Sequence, residues 1–307
     1  SDVYKRQHHH LFGLMENGTT IETQKSESSR IYSLYYSFFL IPFMIAIFGG
    51  VFFLLFNFIT YETKDPSELL NQVKIGSATK RWQSAFELSK VLNDADRVPT
   101  DLSFKNQMIS AYQHSINDDP LVRSYLAIAM GVSRDSFYEK ELLNGLEDEN
   151  RESRLAAVQA IGMVGSNKSL TKLEKIIKTS DYQDERLAAT MSLGFIGNSN
   201  SIPVLTELLD DNEPNIRWDA AVGLAKMGSE ACLPVLSNLL DREYLMTFPE
   251  LNFEKISKVM MVAIEASSNF KNPVFESKLK ELSKSDENLK IRNAAIKILE
   301  KTYDQVI

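Results

Sequence analysis

The chain has 307 residues, 44% apolar, 24% charged and 10% aromatic, and its 41 acidic against 34 basic side chains give a net charge of −7. That balance excludes a disordered chain and a basic protein that wraps nucleic acid. Thirteen Gly and nine Pro exclude collagen-like and low-complexity sequence, and the single Cys232 excludes an intrachain disulfide or a cysteine-clustered zinc site.

Residues 1–14 begin SDVYKRQ, followed by His8, His9 and His10. They read as an assembly scar with upstream translation, which makes Met15 the expected start, and a short polar tail over 15–34 follows. Setting those histidines aside leaves His114 alone, so the usual general base and the usual metal ligand are both scarce. No cofactor and no metal site is expected.

Between Arg30 and Glu62 no charged residue occurs, and within that stretch Phe38 to Ile59 holds 22 residues with only Asn57 strongly polar. At ~1.5 Å per residue this is about 33 Å of helix, against a hydrocarbon core of ~30 Å. Residues 35–61 are therefore expected to form one transmembrane helix, flanked by Tyr35, Tyr36 and Tyr61 as interfacial aromatics. No small-x-small cleavage pattern follows Ile59, so the segment reads as an uncleaved anchor. Lys64, Lys74, Lys80 and Arg81 against Lys25 and Arg30 favour a cytoplasmic carboxyl domain, although assigning Lys80 and Arg81 to a folded helix evens the count.

After the anchor the sequence repeats. VRSYLAIAMG, SRLAAVQAIG, ERLAATMSLG and IRWDAAVGLA place Arg123, Arg154, Arg186 and Arg217 at intervals of 31, 32 and 31 residues. Arg81, Lys258 and Arg292 extend the register to seven units, with insertions near 93–103 and 242–254. Each unit reads as two helices. The first carries a leucine stripe such as Leu142, Leu143 and Leu146. The second carries small residues at helical spacing, such as Ala157, Ala160 and Gly162, which let helices approach closely. Asp65-Pro66, Asp119-Pro120 and Glu213-Pro214 read as helix starts. Gly165, Gly197 and Gly228, each eleven residues after its arginine, read as left-handed helix ends.

These residues resemble the HEAT-repeat family, most closely its short bacterial form in the phycobilisome-lyase HEAT-like repeats. The most specific feature is an acid six residues before the arginine, as in Asp148/Arg154, Asp211/Arg217 and Asp286/Arg292, with weaker Asn117/Arg123 and Ser180/Arg186. The resemblance implies an all-α solenoid of about seven helix pairs over 62–307. It also implies a hydrogen-bonded ladder between adjacent repeats at these positions, and a protein-binding scaffold with no fixed chemistry. The pattern departs at Ile75, six before Arg81, and at Lys258, so the ladder is not carried to the first and sixth units.

Trp82 and Trp218 each follow the repeat arginine, and are either interaction hot spots or rings packed between helices. The 242–254 insertion holds Tyr244, Leu245, Met246, Phe248, Leu251 and Phe253, and either meets a partner or the bilayer or folds back on the solenoid. Gln159, Met163, Met191, Phe195 and Lys226 lie between the small residues of the second helices and are the expected contact positions, unless packing claims them. Enzymatic chemistry is poorly provided for: His114 and Cys232 are far apart in sequence, and no phosphate loop, H-E-x-x-H or C-x-x-C occurs. Residues 1–61 are charge-balanced, so the whole −7 falls on 62–307 and nucleic acid is not an expected partner. The reading is a single-pass, membrane-anchored, non-catalytic scaffold for another protein, itself expected to be membrane-associated. The alternative is a lyase-like or ligand-binding subunit that holds a tetrapyrrole or other cofactor in the groove.

Overall fold

A computed structural model of the chain describes residues 36–60 and 65–305. The expected scar over 1–14, the polar tail over 15–34, and Tyr35, Tyr61 and Lys64 lie outside the described residues. The chain divides into two compact units, one ending at Thr63 and one beginning at Lys64.

In the first unit a π-helical turn at Tyr36–Leu40 runs into α1 (Ile41–Thr60). Pro42 follows the π-helical turn directly and removes one backbone donor at that junction. The stretch Phe38–Phe56 has a mean hydropathy of 2.6, and none of it is buried inside the protein. It is one helix long and apolar enough to cross a membrane.

The second unit is helical throughout, with no strand among the described residues. It begins with α2 (Pro66–Ile75), α3 (Ala78–Val91), α4 (Leu102–His114), α5 (Pro120–Val132), α6 (Glu139–Gly145), α7 (Arg151–Val164), α8 (Leu170–Thr179) and α9 (Gln183–Ile196). It continues with α10 (Ile202–Glu207), α11 (Pro214–Lys226), α12 (Leu233–Leu239), α13 (Arg242–Met246), α14 (Phe253–Ser267), α15 (Pro273–Ser285) and α16 (Leu289–Tyr303). The pairs α2/α3, α4/α5, α6/α7, α8/α9, α10/α11, α12/α14 and α15/α16 are the repeat units, and α13 lies in the second insertion.

Local chemistry sets the helix ends. The side chains of Asp65 and Asp119 accept hydrogen bonds from the first-turn N–H groups of α2 and α5, each with proline in that turn. Pro214 opens α11 behind Glu213, which caps with its backbone alone. Gly165, Gly197 and Gly228 have φ of 78°, 67° and 71°, a conformation that a Cβ makes costly. Arg134 stands eleven residues after Arg123, in the same slot, and adopts φ 55° without being glycine. Its side chain is exposed, so little packing offsets the strain. Arg134→Gly is therefore expected to raise stability by about 0.5–1 kcal/mol, read as a higher urea midpoint, and an unchanged or lower midpoint would contradict this.

The leucine stripes and small-residue faces meet in one continuous core that includes Leu70, Leu126, Leu142, Leu173, Leu205, Leu236 and Leu279. Second helices pack on one another in chain order: α3 on α5, α5 on α7, α7 on α9, α9 on α11, α11 on α14, and α14 on α16. Their closest approaches fall at Gly131 against Ala160, Gly162 against Ser192, and Gly194 against Gly223. No unit buries both its faces alone, so each neighbour completes the core of the last.

Candidate functional site

Arginine pairing joins the units. Arg154 donates from Nη1 to the backbone oxygen of Asp148, six residues earlier, while the Asp148 carboxylate accepts from Arg123 of the preceding unit at 2.5 Å. The same division holds for Asp211, whose carbonyl takes Arg217 while its carboxylate takes Arg186. It holds again for Asp286, whose carbonyl takes Arg292. Each acid thus serves two units, one through its backbone and one through its side chain.

Three rungs depart from the expected pattern. Arg81 does form a rung, to Asp118 at 2.6 and 2.7 Å, and its guanidinium holds that carboxyl below the usual range. Where Ser180 replaces the acid, Arg154 reaches Glu185 instead at 2.7 Å, and the Ser180 hydroxyl donates to the other Glu185 oxygen. The sixth unit's basic partner is Arg242, not Lys258: Arg242 donates to both Asp286 oxygens at 2.8 and 3.0 Å. Lys258 forms a surface pair with Glu254. Arg242 stands at the start of α13, in the insertion, and meets the buried Asp286 from there.

Arg217 makes only the within-unit half of its rung, to the carbonyls of Asp211 and Asn212. Trp218 is buried and meets Phe248 edge-on at 5.1 Å, and Phe248 meets Tyr244 at 5.3 Å. Leu245 is fully buried, and Leu251 packs on the core. The 242–254 insertion therefore folds back on the solenoid, the packed alternative of the two, with Trp218 buried in the core and Tyr244 and Phe248 partly buried against it. Met246 and Phe253 stay exposed. Trp82 is half-buried against the core.

The second-helix positions behave differently. Gln159 and Lys226 are exposed, and so are Met163, Met191 and Phe195, at 37%, 42% and 59%. Val262 and Met261 of α14 continue the apolar surface at 50% and 39%. Met, Phe and Val side chains on α7, α9 and α14 thus leave apolar surface uncovered.

Between α9, α11 and α14 the surface deepens into a groove of about 270 Å³, lined by Met191, Phe195, Val222, Lys226 and Val262 together with Asp219. Its floor is the Gly194–Gly223 contact, where a Cβ on Gly194 would lie 3.0 Å from the Gly223 Cα. Asp219 is the residue that reading units singly misses. Aligned two places after the arginine, it occupies the slot held by buried Ala156 and Ala188 in earlier units. Among the described residues it has no hydrogen-bond or ion-pair partner, and burial pushes its carboxyl up to about 6.

That burial makes a stability prediction. The ionised carboxylate is penalised in the fold and not in the unfolded chain, so the penalty is complete above pH 6 and disappears as pH falls below ~4. Lys226 of the groove and Lys258 of an adjoining hollow that Asp219 also lines are engaged elsewhere and do not offset it. Asp219→Asn is expected to stabilise by about 1–2 kcal/mol at pH 7.5, after allowing for partial exposure, and by nothing near pH 4. A gain independent of pH in paired melts would contradict this cause.

The groups most suited to chemistry are placed conservatively. Cys232 is fully buried, its thiol bonds the Ser229 carbonyl, and burial pushes it up to about 12. His114 Nδ1 lies 2.7 Å from the Ser110 carbonyl oxygen.

Residues 109–194 and 175–245 match the family described as HEAT repeats. No curated protein matches the sequence. Among solved structures, the complex of CpcE and CpcF of phycocyanin lyase from Nostoc sp. PCC7120 is similar, with a TM-score of 0.54 at 16% identity over 79% of this chain and 89% of that one. Human deoxyhypusine hydroxylase in complex with glycerol aligns with a TM-score of 0.34 at 15% identity, covering 78% and 85% of the two chains. A designed armadillo repeat protein aligns with 0.35 at 18% identity, covering 77% and 99%. At such identities the first likeness concerns the fold alone, and a fold does not carry a function with it. On its sequence match and its helical pairs, this chain carries HEAT repeats within an all-α repeat solenoid.

Proposed function

We propose that the chain is a single-pass membrane protein whose HEAT-repeat solenoid binds another protein through its second-helix face and performs no catalysis. The observation that carries the reading is the exposed apolar run at Met163, Met191, Phe195 and Val262, which the fold leaves uncovered while it packs the insertion's Tyr244 and Phe248 toward Trp218. The inert setting of Cys232 supports the non-catalytic part. The apolar α1, with no part of Phe38–Phe56 buried in the protein, supports lipid as its surrounding and a membrane-associated partner. Lys80 and Arg81 fall in α3, which evens the count of bases on the two sides of the anchor, so the charge pattern does not set the orientation.

Affinity capture of the detergent-solubilised full chain from native membranes tests this. It is expected to recover one reproducible partner that Phe195→Asp releases. Recovery of none, or of one indifferent to that change, would contradict the reading. Reporter fusions at the carboxyl end decide the orientation.

A further inference from the structure

The groove between α9, α11 and α14 combines two features that ask for different things. Its walls are apolar and accessible: Phe195 is 59% exposed, Met191 42% and Val262 50%. Its floor is bare, because Gly194 and Gly223 meet backbone to backbone and contribute no side chain. Apolar side chains of a guest would fill it. Asp219, however, lines it as well, and is shared with an adjoining hollow of about 210 Å³ lined by Trp218, Val259 and Val262.

The protein's own cations do not answer that carboxylate. Lys226 turns away, donating to the Phe195 carbonyl at 2.8 Å with its ammonium over the Phe195 ring. Lys258 pairs with Glu254 at 2.8 Å. Stacking does not require an acid at this position either, since Ala156 and Ala188 fill it in neighbouring units. A half-buried, unpaired charge that the fold neither needs nor compensates is a local cost, and such costs collect where a ligand supplies the missing partner.

We propose that this groove binds a segment of a partner protein in which one arginine or lysine, flanked by apolar side chains, pairs with Asp219. The inference rests on the binding role proposed above and names the chemistry of its guest. The apolar neighbours of the basic residue lie against Met191, Phe195 and Val262, and its cation meets the carboxylate over the glycine floor. The net charge of −7, all of it on residues 62–307, draws such a segment in. A segment with an acid at the central position is repelled, which gives the site its selectivity.

The test is selection of a displayed random-peptide library on the immobilised full chain in detergent, followed by affinity measurement of the enriched peptides. They are expected to carry Arg or Lys between apolar residues, and to lose roughly tenfold or more in affinity on Asp219→Asn. That variant is nearly isosteric and is expected to melt no lower than the parent. Phe195→Ala, on an exposed ring, is expected to weaken the same peptides independently. Peptides that lack a basic residue, or that bind Asp219→Asn equally well, overturn the cation pairing and leave the scaffold role standing. Enrichment of nothing that Phe195→Asp releases overturns both.

Discussion

Replacing Arg242 by alanine is expected to lower the unfolding free energy by about 3 kcal/mol, while Lys258→Ala changes it by less than about 0.5 kcal/mol. The difference follows from burial. Asp286 is 6% exposed and receives both Arg242 donors, so the truncation leaves a desolvated carboxylate with only the Asn288 N–H for company. The Arg242 guanidinium also lies 5.0 Å from the Phe253 ring, and the truncation removes that cation–π attraction too. Lys258 and Glu254 are both largely in water, where the pair contributes little. Because repeats touch only their neighbours, the weakening is expected to show first as earlier exchange of the amides in α14–α16. Urea titration of the two variants checks the ranking, and equal effects would refute the assignment of the rung.

A Cβ at position 162 has nowhere to go. It would lie 2.5 Å from the Ser192 hydroxyl and 2.8 Å from the Ser192 Cα, a backbone atom that no rotamer change can move. Ser192 is itself fixed by its hydrogen bond to the Val158 carbonyl across the helix interface. Gly162→Ala is therefore expected to cost about 1–3 kcal/mol as α7 and α9 are forced apart, and Gly162→Val more. Gly49 is the control, because a Cβ there meets nothing within 4 Å. Thermal melts should separate the two alanine variants widely. If they coincide, the helices do not pack at the distance described.

The parts of the fold legible in the sequence are those written in local chemistry. Pro66, Pro120 and Pro214 open helices because proline suits a first turn, and Gly165, Gly197 and Gly228 close them because a Cβ resists positive φ. The exposure of Met163, Met191 and Phe195 was half legible: helical spacing set them between the small residues without deciding between solvent and packing. Features that depend on tertiary distance were not. Arg242 replaces Lys258 because an insertion, invisible to periodicity, carries it to an acid 44 residues away. Glu185 serves as the acid of its unit from beside Arg186, with the Ser180 hydroxyl donating to its second oxygen. Arg134 hides a left-handed turn that its residue type argues against. The contact of Trp218 with Phe248 joins a repeat helix to the insertion, which no local pattern encodes. Asp219 lay within reach, since aligning the units sets it against alanines, but its lack of a partner is a fact of three dimensions.

On the proposed reading, the second-helix face receives the partner, and the first-helix side and the insertion do not. Photo-crosslinking tests this most directly: a benzophenone amino acid is placed singly at Met163, Phe195 or Val262, and for comparison at the exposed Lys175 of α8 and Asn238 of α12. Irradiation of the full chain in native membranes is expected to yield one discrete adduct from the first three positions and none from the other two. Adducts from Lys175 or Asn238 with none from Phe195 would contradict the account.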